Sequence, residues 1–168
     1  MDHLVVTCTH PEATSSLLEE WIWLIGTEKR PVLIAACGDA FVEDGRDGSV
    51  HFLDVGAAEL SPVAETAEAF AGLLSDPAFA SAYLRTERIA MLRQQGLILK
   101  KDQVYSFRVP LSLGGEVRSE NIEISDVAVH FSIAGQIERQ IADLPEGAPV
   151  TGIKIERIPG VKPWWKFW

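Results

Sequence analysis

Cysteine is scarce in this sequence, and two residues, Cys8 and Cys37, are too few to form a disulfide framework. We therefore expect free thiols and a location in the reducing cytoplasm.

The N-terminus has no basic segment followed by an apolar one, so no signal peptide is predicted. The longest apolar run, Pro31–Cys37, is far shorter than the ~20 residues that cross a bilayer, so no membrane span is predicted.

Positive charge is also in short supply. The chain has 15 lysines and arginines against 24 aspartates and glutamates, which gives a net charge of −9. Because an acidic surface repels phosphate backbones, we expect this protein to bind neither nucleic acid nor anionic membranes. Complementary charge favours a basic protein partner. The alternative is that the acidity only keeps the protein soluble.

The sequence lacks the motifs of common catalytic and nucleotide-binding sites: it has no GxSxG, no P-loop and no GxGxxG. His51 and Asp54 are three residues apart on a predicted strand, so they face opposite sides and do not predict a shared site. Cys8 and His10 have a spacing that would suit zinc, but no second pair of ligands accompanies them. We therefore predict no catalytic residues, no metal and no cofactor.

What the sequence does contain predicts an α+β fold in a single domain spanning residues 1–168. A mainly antiparallel sheet is expected around a central β-hairpin at about 39–55, with Gly45–Gly48 as its turn and Phe41 opposite Phe52. Further strands are predicted at 59–63, 103–109 and 151–158. Packed helices are predicted at about 16–25, 66–75, 77–95 and 126–143. Residues 1–15 form an N-terminal arm, and residues 159–168 an aromatic C-terminal tail.

The helix at 126–143 has a wide apolar arc with His130 in its middle and Gln136 on its polar side. One interpretation makes His130 a core residue satisfied by a backbone carbonyl or a carboxylate. The other makes it the floor of a pocket, in a small-molecule-binding domain or an uncharacterised enzyme. The residues of that candidate pocket are Tyr105, Gly114, Gly115, His130 and Gln136.

Two surface segments are candidates for protein contacts. The hairpin turn contains Glu43, Asp44, Arg46 and Asp47, which predict a solvated tip or a contact surface for a basic partner. The tail ends in Trp164, Trp165, Phe167 and Trp168, and these side chains would be costly to leave in water. We expect the tail to dock on the protein's own core or to form a homodimer with a second subunit.

Two segments carry a resemblance to a known family: GDAFVEDGRDGSVHFLDV at Gly38–Val55 and VHFSIAGQIERQIADLP at Val129–Pro145. Together with the residues around them, over about Ser16–Pro149, they resemble the C-terminal domain of Tdi-type immunity proteins of type VI secretion systems. They are more distantly similar to the SMI1/KNR4-type immunity superfamily. The resemblance implies a non-enzymatic protein that binds and neutralises a nuclease-type toxin, and it offers no catalytic residues.

Overall fold

The computed structural model describes residues 3–6, 16–145 and 148–156. Its larger sheet has five antiparallel strands whose order follows the chain, so that each strand pairs with the next. The final strand lies at the edge of the sheet, as the proline within it requires. The strands are β1 (Val5–Val6), β2 (Lys29–Ala35), β3 (Ala40–Asp44), β4 (Val50–Asp54) and β5 (Glu59–Ala64).

The predicted central hairpin is confirmed as β3 and β4. Phe41 lies opposite Phe52 and Val42 opposite His51, which is the predicted register. The turn closes through a hydrogen bond of 2.8 Å from the Asp44 amide to the Ser49 carbonyl. The hairpin is buried on both sides, because its alternate residues point into two separate hydrophobic clusters.

The helices predicted at about 66–75 and 126–143 are also confirmed. Thr66 accepts a hydrogen bond from the Ala69 amide, and Asp126 accepts one from the Ala128 amide, so that each helix begins where its cap predicts. The described α-helices are α1 (Ile22–Ile25), α2 (Ala67–Leu73), α3 (Pro77–Leu84), α4 (Thr86–Gln94) and α5 (Val127–Ala142). None of them is long and apolar enough to cross a membrane.

Three predicted elements differ from the structure. The helix at 77–95 is two helices, because Arg85 adopts a left-handed backbone with φ of +52° between α3 and α4. The helix at 16–25 is a 3₁₀ turn over Glu19–Trp21 followed by the single turn α1. The strand at 151–158 is absent from its described part, residues 151–156. There the Gln140 side chain bonds both the amide and the carbonyl of Lys154, in place of a neighbouring strand.

A second sheet pairs β6 (Gln103–Phe107) with β7 (Ile122–Asp126). The predicted strand 103–109 therefore ends two residues early, and a long loop connects it to β7. On one side of the hairpin, aromatic rings pack closely, with centroids 4.7 Å apart for Phe41 and Phe70. On the other side, the Trp21 indole donates a buried hydrogen bond of 2.9 Å to the Phe131 carbonyl of α5.

Candidate functional site

A cavity of about 180 Å³ opens where the larger sheet, the α3–α4 junction, β6, the loop after β6 and α5 meet. Its wall mixes apolar side chains with carboxylates, guanidinium groups, a thiol and an imidazole. The residues that line it are Cys37, Asp39, Asp54, Val55, Gly56, Arg85, Arg88, Ser106, Phe107, Pro110, Leu111, Val117, His130, Ala134 and Glu138.

The turn between β2 and β3 places Cys37 and Asp39 in the cavity wall. Asp39 is buried and accepts hydrogen bonds from the Val55 amide at 3.0 Å and the Cys37 thiol at 3.2 Å. Burial, together with the nearby Asp54 carboxylate, raises the pKa of Asp39 to about 7. Burial also raises the pKa of Cys37 well above its usual value, and Asp39 adds to that shift. The thiol is therefore a protonated donor and a poor nucleophile.

Two arginines at the α3–α4 junction, Arg85 and Arg88, line the cavity. Arg85 donates to the Asp54 carboxylate at 3.2 Å, and the same carboxylate accepts the Ala57 amide at 2.9 Å. Arg88 lies on α4, is partly buried and lines the cavity. It makes no hydrogen bond or ion pair with any residue that the structure describes. Among the described residues, a guanidinium in the wall of the cavity thus has no ion-pair partner.

His130 occupies the position in the apolar arc of α5 that the sequence predicts, and both ring nitrogens have partners. Nε2 lies 2.9 Å from the Gly38 carbonyl and Nδ1 lies 2.9 Å from the Ser106 hydroxyl. Since a carbonyl can only accept, Nε2 carries the proton and Nδ1 accepts from Ser106. Burial lowers the pKa of His130 to about 4, so the imidazole is neutral at physiological pH. His130 is therefore both a satisfied core histidine and part of a cavity wall.

Glu138 closes the wall on α5. It is only 6% exposed, accepts a hydrogen bond of 2.6 Å from the Ser112 hydroxyl, and has a pKa that is raised by burial. Sequence reasoning missed Glu138, although it lies seven residues after the buried Phe131 and so shares its side of the helix. It also missed Asp39, Arg85 and Arg88, and no motif or spacing in the sequence identifies them.

The other residues of the predicted pocket lie elsewhere. The Tyr105 hydroxyl donates to the Leu97 carbonyl at 2.6 Å, outside this cavity. Gln136 is buried although the sequence predicted it on the polar side of α5, and its side-chain oxygen Oε1 accepts a hydrogen bond from the Glu156 amide. Gly114, with φ of +88°, and Gly115 shape the loop after β6 and do not line the cavity. A Cβ atom at Gly115 would collide with the backbone carbonyl of Val109.

The acidic hairpin tip is internally paired. The Asp44 carboxylate is 2% exposed and binds both the Lys29 ammonium at 2.8 Å and the Arg46 guanidinium at 2.6 Å, which lower its pKa. Glu43 pairs with Arg30 at 2.8 Å. Asp47 accepts hydrogen bonds from the Ser49 amide and hydroxyl, at 2.9 and 2.6 Å. Asp44 is therefore a structural anchor of the turn, while the Arg46 side chain stays exposed.

Three features singled out in the sequence lie outside the described residues. These are the zinc-spaced pair Cys8 and His10, the N-terminal arm except residues 3–6, and the aromatic tail. Within the described part of the chain, no three His, Cys, Asp or Glu side chains cluster closely enough to hold a metal ion.

The architecture is an α+β fold that a solved structure shares. The crystal structure of Atu4351 from Agrobacterium tumefaciens superposes with a TM-score of 0.56 at 18% sequence identity, over 80% of this chain and 67% of that chain. This likeness concerns the fold. No curated protein matches the chain.

The family resemblance is confirmed for part of the chain. Residues 64–138 match the family model described as "T6SS immunity protein Tdi1, C-terminal". The matched segment runs from the end of β5 into α5, and it contributes 10 of the 15 residues that line the cavity. The other five lie on the turn before β3 and just at or after the end of β4.

Proposed function

We propose that this protein is an immunity protein that binds and neutralises a nuclease-type effector of a type VI secretion system without catalysing a reaction. The observation that carries this proposal is the match of residues 64–138 to the immunity family. The net charge of −9 supports a basic partner, such as an enzyme that binds nucleic acid. A toxin that cleaves DNA acts where the DNA is, so neutralisation is expected in the cytoplasm.

The hairpin tip is the contact surface that we propose for the toxin. Pairing of Asp44 with Lys29 and Arg46 holds the turn in one conformation. A turn that is ordered before binding loses less entropy when a partner docks. Glu43, Arg46 and Asp47 would then supply the charges that meet the partner, and Asp44 would act by positioning them.

Co-expression with the toxin encoded beside this gene tests the proposal. We expect the protein to restore growth, and a purified pair to form a complex that weakens with added salt. Growth arrest that persists with every neighbouring toxin would overturn the immunity role.

A matched pair of double variants tests the tip. Glu43→Gln with Asp47→Asn removes two carboxylates from the tip, one of them paired with Arg30. Glu116→Gln with Glu120→Gln removes two from the loop before β7, one of them paired with Arg118. We expect only the tip variant to weaken the complex, by about tenfold if the lost contacts are worth about 1.4 kcal/mol. Equal affinity in both variants would place the contact surface elsewhere.

A further inference from the structure

We infer that the cavity beside His130 is a binding site for a small organic anion, in which a carboxylate or phosphate group meets Arg88 and an apolar body lies against the wall of the β6–β7 loop. The inference comes from the cavity's own groups. It does not depend on toxin neutralisation, and a failure of either proposal leaves the other intact.

The pairing of the charged groups in the wall favours an anion. The carboxylates that line the cavity all have partners: Asp39 has Val55 and Cys37, Asp54 has Arg85, and Glu138 has Ser112. Arg88 is the cavity-lining charge that has none among the described residues. Arg88 is partly buried and its N–H donors have no protein acceptor among the described residues, so they are available to an acidic group on a ligand.

The neighbouring arginine adds to this preference. One guanidinium nitrogen of Arg85 donates a hydrogen bond of 3.2 Å to Asp54, and the rest of the guanidinium group remains available. It lies three residues before Arg88 and lines the same cavity. Guanidinium groups present several N–H donors in a planar fork, a geometry that matches both carboxylate and phosphate oxygens. The wall's carboxylates, Asp39, Asp54 and Glu138, already accept hydrogen bonds from protein groups, so the guanidinium donors are the charged groups left for a ligand.

The rest of the wall determines the kind of anion. Phe107, Pro110, Leu111 and Val117 form an apolar side, and the Ser106 oxygen can still accept a hydrogen bond. The volume of about 180 Å³ is below the range of roughly 300–1,000 Å³ that is typical of drug-sized sites. The site therefore suits a ligand with a single ring or a short apolar chain and one acidic group.

Calorimetric titration of the purified protein with benzoate, phenyl phosphate and inorganic phosphate tests this inference. We expect saturable binding of benzoate or phenyl phosphate, and whichever of the two binds identifies the acidic group. Inorganic phosphate should bind far more weakly because it lacks the apolar body. No heat with either ring compound, or equal affinity for inorganic phosphate, would overturn the inference.

Two arginines on α4 provide a matched comparison. Arg88 lines the cavity, whereas Arg93 is exposed in the last turn of the same helix and does not line it. Arg88→Gln should weaken binding at least about tenfold, the loss expected for a hydrogen-bonded charge pair, and Arg93→Gln should leave it unchanged. Equal losses in both variants would show general charge attraction instead of a site.

A third variant tests the cavity and leaves every charge in place. Ala134 lines the cavity from α5, so Ala134→Leu fills part of the space. We expect it to abolish binding while thermal unfolding shows a folded protein. If Ala134→Leu binds as the unchanged protein does, the anion lies outside the cavity and the inference is wrong. If this variant fails to fold, Arg88→Gln and Arg93→Gln still decide the question.

Discussion

Gly38 satisfies two requirements at once, and replacing it tests both. Its φ of +91° is left-handed, and a Cβ atom there would lie 2.6 Å from Nε2 of His130. Gly38→Ala should lower the free energy of unfolding by about 1–2 kcal/mol for the backbone and by roughly 1–3 kcal/mol more for overpacking. Urea unfolding measures this change.

Gly48 is the control for that substitution. It has φ of +76° and open space around a Cβ atom. Gly48→Ala should therefore show the backbone cost alone. If the two variants are equally destabilised, the close approach of His130 to Gly38 adds nothing to the loss of unfolding free energy in Gly38→Ala.

Asp39 and His130 make stability depend on pH with opposite signs. Folding raises the pKa of Asp39 from 3.8 to about 7, so the folded state binds the extra proton and stability falls as pH rises through that window. Folding lowers the pKa of His130 from 6.5 to about 4, so the unfolded state binds the extra proton and stability rises with pH through that window. Over their shared range, from about pH 4 to 6.5, the two effects oppose each other.

Asp39→Asn separates these contributions. It keeps an acceptor for the Val55 amide and removes the titration of Asp39, so the rise in stability that His130 contributes between pH 4 and 6.5 is no longer opposed by Asp39. At pH 8 the variant should be more stable than the unchanged protein, by at most on the order of 4 kcal/mol for about three pKa units. Urea unfolding at several pH values measures both. A variant whose pH profile matches that of the unchanged protein would contradict the raised pKa of Asp39.

At the scale of elements, the break at Arg85 determines where the cavity arginines lie. A residue with φ of +52° in that position favours glycine over alanine. We expect Arg85→Gly to be more stable than Arg85→Ala by about 1 kcal/mol, since both lose the Asp54 contact and only glycine relieves the backbone. In a continuous helix over 77–95, alanine would instead be favoured by about the same amount. Urea unfolding of the two variants distinguishes these cases.

The elements that the sequence predicts correctly are those whose structure is determined by residues close to them in the chain. The hairpin follows from its alternating strands and glycine turn, and α2 and α5 follow from their capping residues Thr66 and Asp126. The break at Arg85 contains no glycine or proline, and its guanidinium contacts Asp54, 31 residues earlier. The cavity shows the same division between local and long-range causes. His130 is visible in the sequence as a polar residue in an apolar arc, whereas Asp39 and Arg88 line one cavity only because of the tertiary fold.

At the scale of the whole molecule, α5 anchors the described C-terminal segment, residues 148–156. Gln140 donates to the Lys154 carbonyl at 2.9 Å and accepts the Lys154 amide at 3.0 Å. Gln140→Ala should speed hydrogen exchange at the Lys154 amide with little change in α5, while the bond from the Glu156 amide to Gln136 remains. Arg139→Ala, at the exposed neighbouring position, should leave exchange unchanged. Protection of Lys154 that survives Gln140→Ala would show that other contacts hold the segment.

The link between Trp21 and Phe131 spans 110 residues, and that between Gly38 and His130 spans 92. The strands of the larger sheet, by contrast, pair only with their sequence neighbours. Closing a long loop costs more entropy than closing a short one, so the sheet should assemble first and α5 should dock late.

Trp21→Phe should then speed unfolding and leave the refolding rate unchanged in stopped-flow experiments. An equal slowing of refolding would place α5 in the folding nucleus. We therefore expect the long α5 contacts to determine how long the native state persists and the hairpins to determine how fast it forms.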